Sequence, residues 1–184
     1  TLTADKKYLL KGGVFIGDDK NETVLTVEAG THIFGETASK AFLTIRRAAR
    51  IEAVGTKDKP IVFTSSQPEG SRARGDWGGL VINGRATING CPDGACESEG
   101  EGGTGKYGGS DDKDNSGTLK YVRVEFAGTL VSPDNELNGI AFQGVGSDTV
   151  IDYVQVHMNA DDGVEFFGGA AEVRLPEIVI DLVD

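Results

Sequence analysis

Helical periodicity is nearly absent from this chain of 184 residues. No apolar run reaches the ~18 residues that a membrane-spanning helix needs, so no membrane span is expected. Proline is scarce at 5 residues, and cysteine occurs only twice. Two cysteines alone make a poor structural zinc site, which usually takes four ligands. Basic residues are outnumbered, with 18 Lys and Arg against 29 Asp and Glu, a net charge of −11. That balance argues against nucleic acid as a partner, because phosphate binding needs clustered Lys and Arg. It suits a soluble protein, a cation binder or an external surface.

Glycine is abundant, at 27 residues. In β-rich sequence it marks tight corners more than linkers. Between the glycines lie short stretches rich in Val, Ile, Phe, Thr and Tyr, among them "FLTIRRAARIEAVG", "GLVINGRATING", "TLKYVRVEFAG" and "GVEFFGG", as strands require. Set with an offset of 24 residues, "NGIAFQGVGSDTVIDYVQVHMNAD" from Asn138 falls on "DGVEFFGGAAEVRLPEIVIDLVD" from Asp162. Ile140 then meets Val164, Phe142 meets Phe166 and Val156 meets Ile180. "LKYVRV" (Leu119 to Val124) falls on "IDYVQV" (Ile151 to Val156), and "GGLVING" matches "NGIAFQG". A repeat of this length with apolar residues in register predicts one all-β domain over residues 1–184. Its architecture is a parallel β-helix, or β-solenoid, with coils of about 24 residues. A loop insert spans residues 91–117. A β-sandwich is the weaker reading, since it needs Asn-Gly or Asp-Gly hairpins that "ING" and "DGV" offer only weakly.

"LTVEAGTHIFGE", "GDWGGLVINGRA", "YGGSDDKDNSGTLKYVRVEFAG", "NELNGIAFQGVGSDTVIDYVQV" and "DDGVEFFGG" resemble a family of bacterial secreted or outer-membrane right-handed parallel β-helix proteins. The resemblance extends to about Val173. It implies a right-handed coil and an extracellular or outer-membrane location, and it brings no catalytic motif. The tail "RLPEIVIDLVD" departs from the pattern, so the last coil is expected to be truncated or capped by a partner. An open coil is also an edge for self-association.

Several residue groups are candidates for chemistry. Cys91 and Cys96 in "CPDGAC" are spaced for a local disulfide, which implies an oxidising compartment. Asp112, Asp114 and Ser116 fit the first half of a calcium loop, but its distal Glu is missing, and Arg123 stands at the twelfth position. Ca2+ is therefore the one cofactor suggested. Strand alternation places Glu125, His157 and Asp181 outward in one column, where a carboxylate–imidazole–carboxylate stack would serve acid–base catalysis. "NADDGVEFFGG" puts Asp161 and Asp162 at a corner, to cap a turn or to bind a cation or glycan, and turns Glu165 outward. Trp77 in "GDWGG" either stacks on a sugar ring or plugs the core.

These readings point to a non-enzymatic extracellular or cell-surface β-solenoid with a structural, assembly or adhesion role. Its expected partners are another copy or another surface protein, met through the solenoid ends. The alternative is a carbohydrate-active protein: a polysaccharide lyase or hydrolase, or a glycan-binding module. For the Asp112 loop, millimolar calcium is expected to raise the melting temperature, and no stabilisation at that concentration rejects the site.

Overall fold

In the structure, a computed structural model, residues 1–91, 96–132, 135–173 and 178–181 are described. The side chains of residues 178–181 lie outside that description. The first coil carries β1 (Lys7–Leu10), β2 (Gly13–Ile16) and β3 (Thr23–Val27), and the second β4 (His32–Gly35), β5 (Phe42–Ile45) and β6 (Ala49–Val54). The third opens with β7 (Ile61–Ser65) and β8 (Gly79–Asn83). There follow two short strands, β9 (Ser98–Glu99) and β10 (Lys106–Tyr107), around a 3-10 turn at Glu101–Gly103. The long β11 (Gly117–Glu125) precedes a hairpin of β12 (Leu130–Ser132) and β13 (Asn135–Glu136). The chain continues through β14 (Ile140–Val145), β15 (Val150–His157), β16 (Val164–Gly169) and β17 (Ile178–Asp181).

The strands stack into three parallel ladders. Face 1 runs β1, β4, β7, the second half of β11, the second half of β15, and β17. Face 2 runs β2, β5, β8, β14 and β16. Face 3 runs β3, β6 and the first halves of β11 and β15. This is the parallel β-helix expected from the repeat. The spacing of 24 residues holds from Ile140 to Val164 and from Val154 to Ile178. Other coils are longer: Lys7 pairs with His32, His32 with Val62, and Leu80 with Ile140. Corner loops vary in length without disturbing the ladder, because pairing fixes only the strands.

The core is a set of apolar rows, one residue per coil. Face 1 contributes Tyr8, Ile33, Phe63, Val124 and Val156. Face 2 contributes Leu43, Leu80, Ile140 and Val164, and beside them Ile45, Ile82, Phe142 and Phe166. Face 3 contributes Val27, Ala53, Leu119 and Ile151. Each fully buried Val, Leu, Ile or Phe contributes ~1.5–3 kcal/mol, which no single coil gathers by itself.

Two corners are turned by one residue each. Tyr121 and Tyr153 both sit at φ 51° and bend β11 and β15 from face 3 to face 1. A non-glycine residue there costs ~1–2 kcal/mol. The two rings stack with centroids 4.6 Å apart and planes 2° from parallel, which offsets part of the cost. Lys120 pairs with Asp152 and lies over both rings.

Face 2 is covered on its outer side as well. Thr44, Val81, Ala141, Asn83 and Gln143 point away from the core and are still buried. The segment around the 3-10 turn packs on them. Asn83 Nδ2 donates to the Thr104 carbonyl at 3.1 Å. Gly100 fits against Thr104 Oγ1 and Gln143 Oε1, where any β-carbon would collide. Arg47 holds Glu97 from across the corner, and Lys106 flanks it at 3.3 Å.

Trp77 is 0% exposed. Its indole N–H donates to the Glu125 carbonyl at 2.8 Å, and its carbonyl accepts from the Thr129 N–H at 3.1 Å. A β-carbon on Gly35 would sit 2.6 Å from three Trp77 atoms. The Trp77→Ala variant is expected to lose about 3–5 kcal/mol in urea unfolding. Gly35→Ala is expected to be destabilised as well, because the indole has no room to yield.

Candidate functional site

Face 1 turns two rows of side chains outward. One holds Lys7, His32, Val62, Arg123 and Gln155. The other holds Leu9 and Phe34, then Thr64, and then Glu125 and His157. Register places Asp181 next to His157, but the Asp181 side chain lies outside the described residues. Five strands stacked ~4.8 Å apart make this surface about 19 Å long.

A loop over residues 66–76 roofs part of it. Asp76 fixes the loop by accepting from the Ser65 hydroxyl and from the Ala73 N–H at 3.0 Å. Ser65 in turn accepts from the Gln67 N–H at 3.0 Å, and Arg72 Nε donates to the Gln67 carbonyl at 3.1 Å. Between loop and sheet lie two adjoining cavities of about 390 and 330 Å³. Both are lined by Glu69, Arg72, Arg123 and Glu125. Lys7, His32 and Phe34 complete one end, and Phe126 and His157 the other. Three permanent cations therefore face two carboxylates in a chain of net charge −11.

Glu125 is only 8% exposed. Arg123 Nη2 lies 2.9 Å from its Oε1, and the Thr64 hydroxyl donates to its Oε2 at 3.0 Å. With the carbonyl held by Trp77, every acceptor group of Glu125 is occupied. The carboxylate thus orients the Arg123 guanidinium rather than standing free as a base. His157 lies beside it on the ladder, with its ring edge-on to Phe126 at 5.6 Å.

The other candidate residues fall elsewhere. Of the two roles expected for Trp77 the structure shows the core plug and not ligand stacking: sealed between Gly35 and β11, its ring presents no face to solvent. Asp161 and Asp162 are exposed at the corner before Gly163. The side chain that closes this corner is Asn159, whose Nδ2 donates to their carbonyls at 3.0 and 2.7 Å. Glu165 accepts a short bond from Asn138 Nδ2. Its carboxyl is pushed above the ordinary range by burial, and then by the charges of Glu101, Asp162 and Asp161. Glu101 is raised likewise, by burial and then by Asp161 and Glu136.

Asp112 accepts from the Thr87 N–H at 2.9 Å, which lowers its pKa. Asp114 accepts from the Ser116 hydroxyl at 2.9 Å, and burial raises its carboxyl. The two carboxylates are thus engaged separately. Among the described residues no group of three or more His, Cys, Asp or Glu side chains is placed to hold a metal ion. Cys91 and Cys96 form a disulfide, with Cα atoms 5.5 Å apart. The sequence reading misses Lys7 and Glu69; it gives Arg72 mainly as a partner for acids on adjacent coils and His32 as a surface strand residue. The signal for Lys7 was the outward register of "KYLL" with "HIFG" and "IVFTS", which unequal coil lengths hid; Glu69 lies in a loop, where alternation gives no signal.

An acid whose folded pKa lies above its unfolded one is penalised as an anion by folding. The penalty is present at neutral pH and fades as pH falls through the raised value. Replacing both Glu101 and Glu165 by Gln is therefore expected to raise the melting temperature near neutrality. The gain over the parent should shrink as pH falls toward the ordinary carboxylate range of about 4. A gain independent of pH would rule out carboxylate repulsion as its source.

Over residues 1–180 the chain matches the pectate-lyase-like beta helix domain family, and it belongs to that family. No curated protein matches it, and neither does any solved structure.

Proposed function

We propose that this member of the pectate-lyase-like β-helix family binds a linear acidic glycan along face 1 without cleaving it. The observation that carries the reading is the roofed, cation-rich groove between Arg72 and Arg123. A polymer laid along the helix axis would cross successive strands there. Guanidinium groups pair well with carboxylates, and Phe34 offers an apolar face beside them. Binding rather than turnover is favoured because both oxygens of Glu125 are already engaged. The disulfide supports an oxidising, extracellular setting, in keeping with an adhesive role at a cell surface. This reading does not depend on calcium at Asp112, Asp114 and Ser116, which the melting titration tests separately.

Association with another copy or another surface protein is a second reading. It rests on Leu9, Phe15 and Val24, exposed apolar residues on each of the three strands of the first coil. Sedimentation across a concentration series tests it, and a strict monomer rejects it.

Titration calorimetry with polygalacturonate and alginate oligomers tests the groove. Arg72→Ala and Arg123→Ala should each weaken binding about tenfold or more, consistent with ~1.5–3 kcal/mol for a hydrogen bond to a charged group. Affinity should fall with added salt. Release of unsaturated sugar, read in the ultraviolet, would show a lyase instead. Equal affinity of the parent and both arginine variants would remove the groove from the account.

A further inference from the structure

A third cavity differs in chemistry from the groove. It is about 210 Å³ and lies on the far side of the coil, between β10 and β16. Tyr107 and Phe167 form two of its walls, with ring centroids 6.1 Å apart and planes 59° from parallel. The rings lie within contact range of each other, and the cavity opens as a notch beside them. Phe167 stands there because alternation turns it outward on β16, beside Gln143. Phe166 points the other way and stacks on Phe142 at 5.1 Å, with its exposed edge also reaching the cavity. Ile88 floors the notch, and the exposed Asn89 and Ser98 sit at its rim.

Among the described residues, no charged side chain lines this cavity. In a chain with 47 charged side chains among its 184 residues, an uncharged lining selects against ionic ligands. The volume lies below the ~300 Å³ where drug-sized pockets begin, so it admits one ring and not a chain. Aromatic faces are electron-rich and suit the slightly positive C–H face of a sugar ring. The rim amide and hydroxyl would pair with ring hydroxyls. A pure hydrocarbon would cover those two groups without pairing them, which costs binding energy.

We propose that the notch beside Tyr107 and Phe167 binds a single neutral sugar ring, as a site separate from the face 1 groove. It stands on different residues from that groove and on ligands of different charge.

Saturation-transfer NMR and calorimetry with methyl glycosides of neutral hexoses test it on the whole chain. Binding should be saturable in the millimolar range and insensitive to salt. Phe167→Ala should weaken it at least tenfold. Ser98→Arg, placed on an exposed residue at the rim, should block it without disturbing the fold. Arg123→Ala should leave it unchanged, so failure here and failure of the groove are distinguishable. The proposal is overturned by no saturable binding of any neutral sugar, by equal binding in parent, Phe167→Ala and Ser98→Arg, or by binding of indole or phenol with no sugar bound.

Discussion

Everything in this molecule depends on parallel pairing between coils. A single coil carries three short strands, and neither its backbone polar groups nor its inward side chains are satisfied alone. Stacking at ~4.8 Å pairs the amides and aligns Ile33, Phe63 and Val124 into one apolar row. The same operation aligns the outward residues into rows. A binding surface is therefore a by-product of the core: whatever points away from Phe63 on either side lines up from coil to coil.

The outward rows are not used alike. On face 1 they stay open under a roof and gather Arg72, Arg123 and Lys7. On face 2 they are covered by the segment after β8, so Val81 and Ala141 are buried on both sides of the sheet. That difference explains why face 2 tolerates apolar residues at outward positions. It also leaves Glu165, in the same row as Val81 and Ala141, half-buried and close to other carboxylates. The arginines at the face 2 to face 3 corner are spent on structure. Arg50 reaches Glu22 at 2.7 Å, Arg47 holds Glu97, and Arg46 lies over the Phe15 ring at 4.5 Å.

Trp77 joins fold and groove. It fills the space that Gly35 leaves, and it holds the backbone of Glu125, whose carboxylate then sets Arg123. The placement of a surface guanidinium thus rests on a fully buried indole that directly follows the roof loop in sequence. Part of the groove's geometry is in this way a property of the core.

Much of the fold was legible in the residues themselves. Alternation of apolar and polar positions in "TLKYVRVEF" and "VIDYVQVH" dictated which side chains face inward, and equal spacing at the end of the chain revealed the stacking. "CPDGAC" was short enough to place its two sulfurs together. The Glu125–His157–Asp181 row was legible for the same reason. What each outward residue does was not legible, because it depends on contacts between segments of unequal separation. Only the tertiary structure brings Arg72 from a loop over Arg123, seals Trp77 beneath Gly35, and ties Glu165 to Asn138. Sequence fixes local alternation, since strand geometry has a period of two residues. Corner loops of any length satisfy that rule, so the pairing of distant rows and the cover laid over them are decided by packing alone.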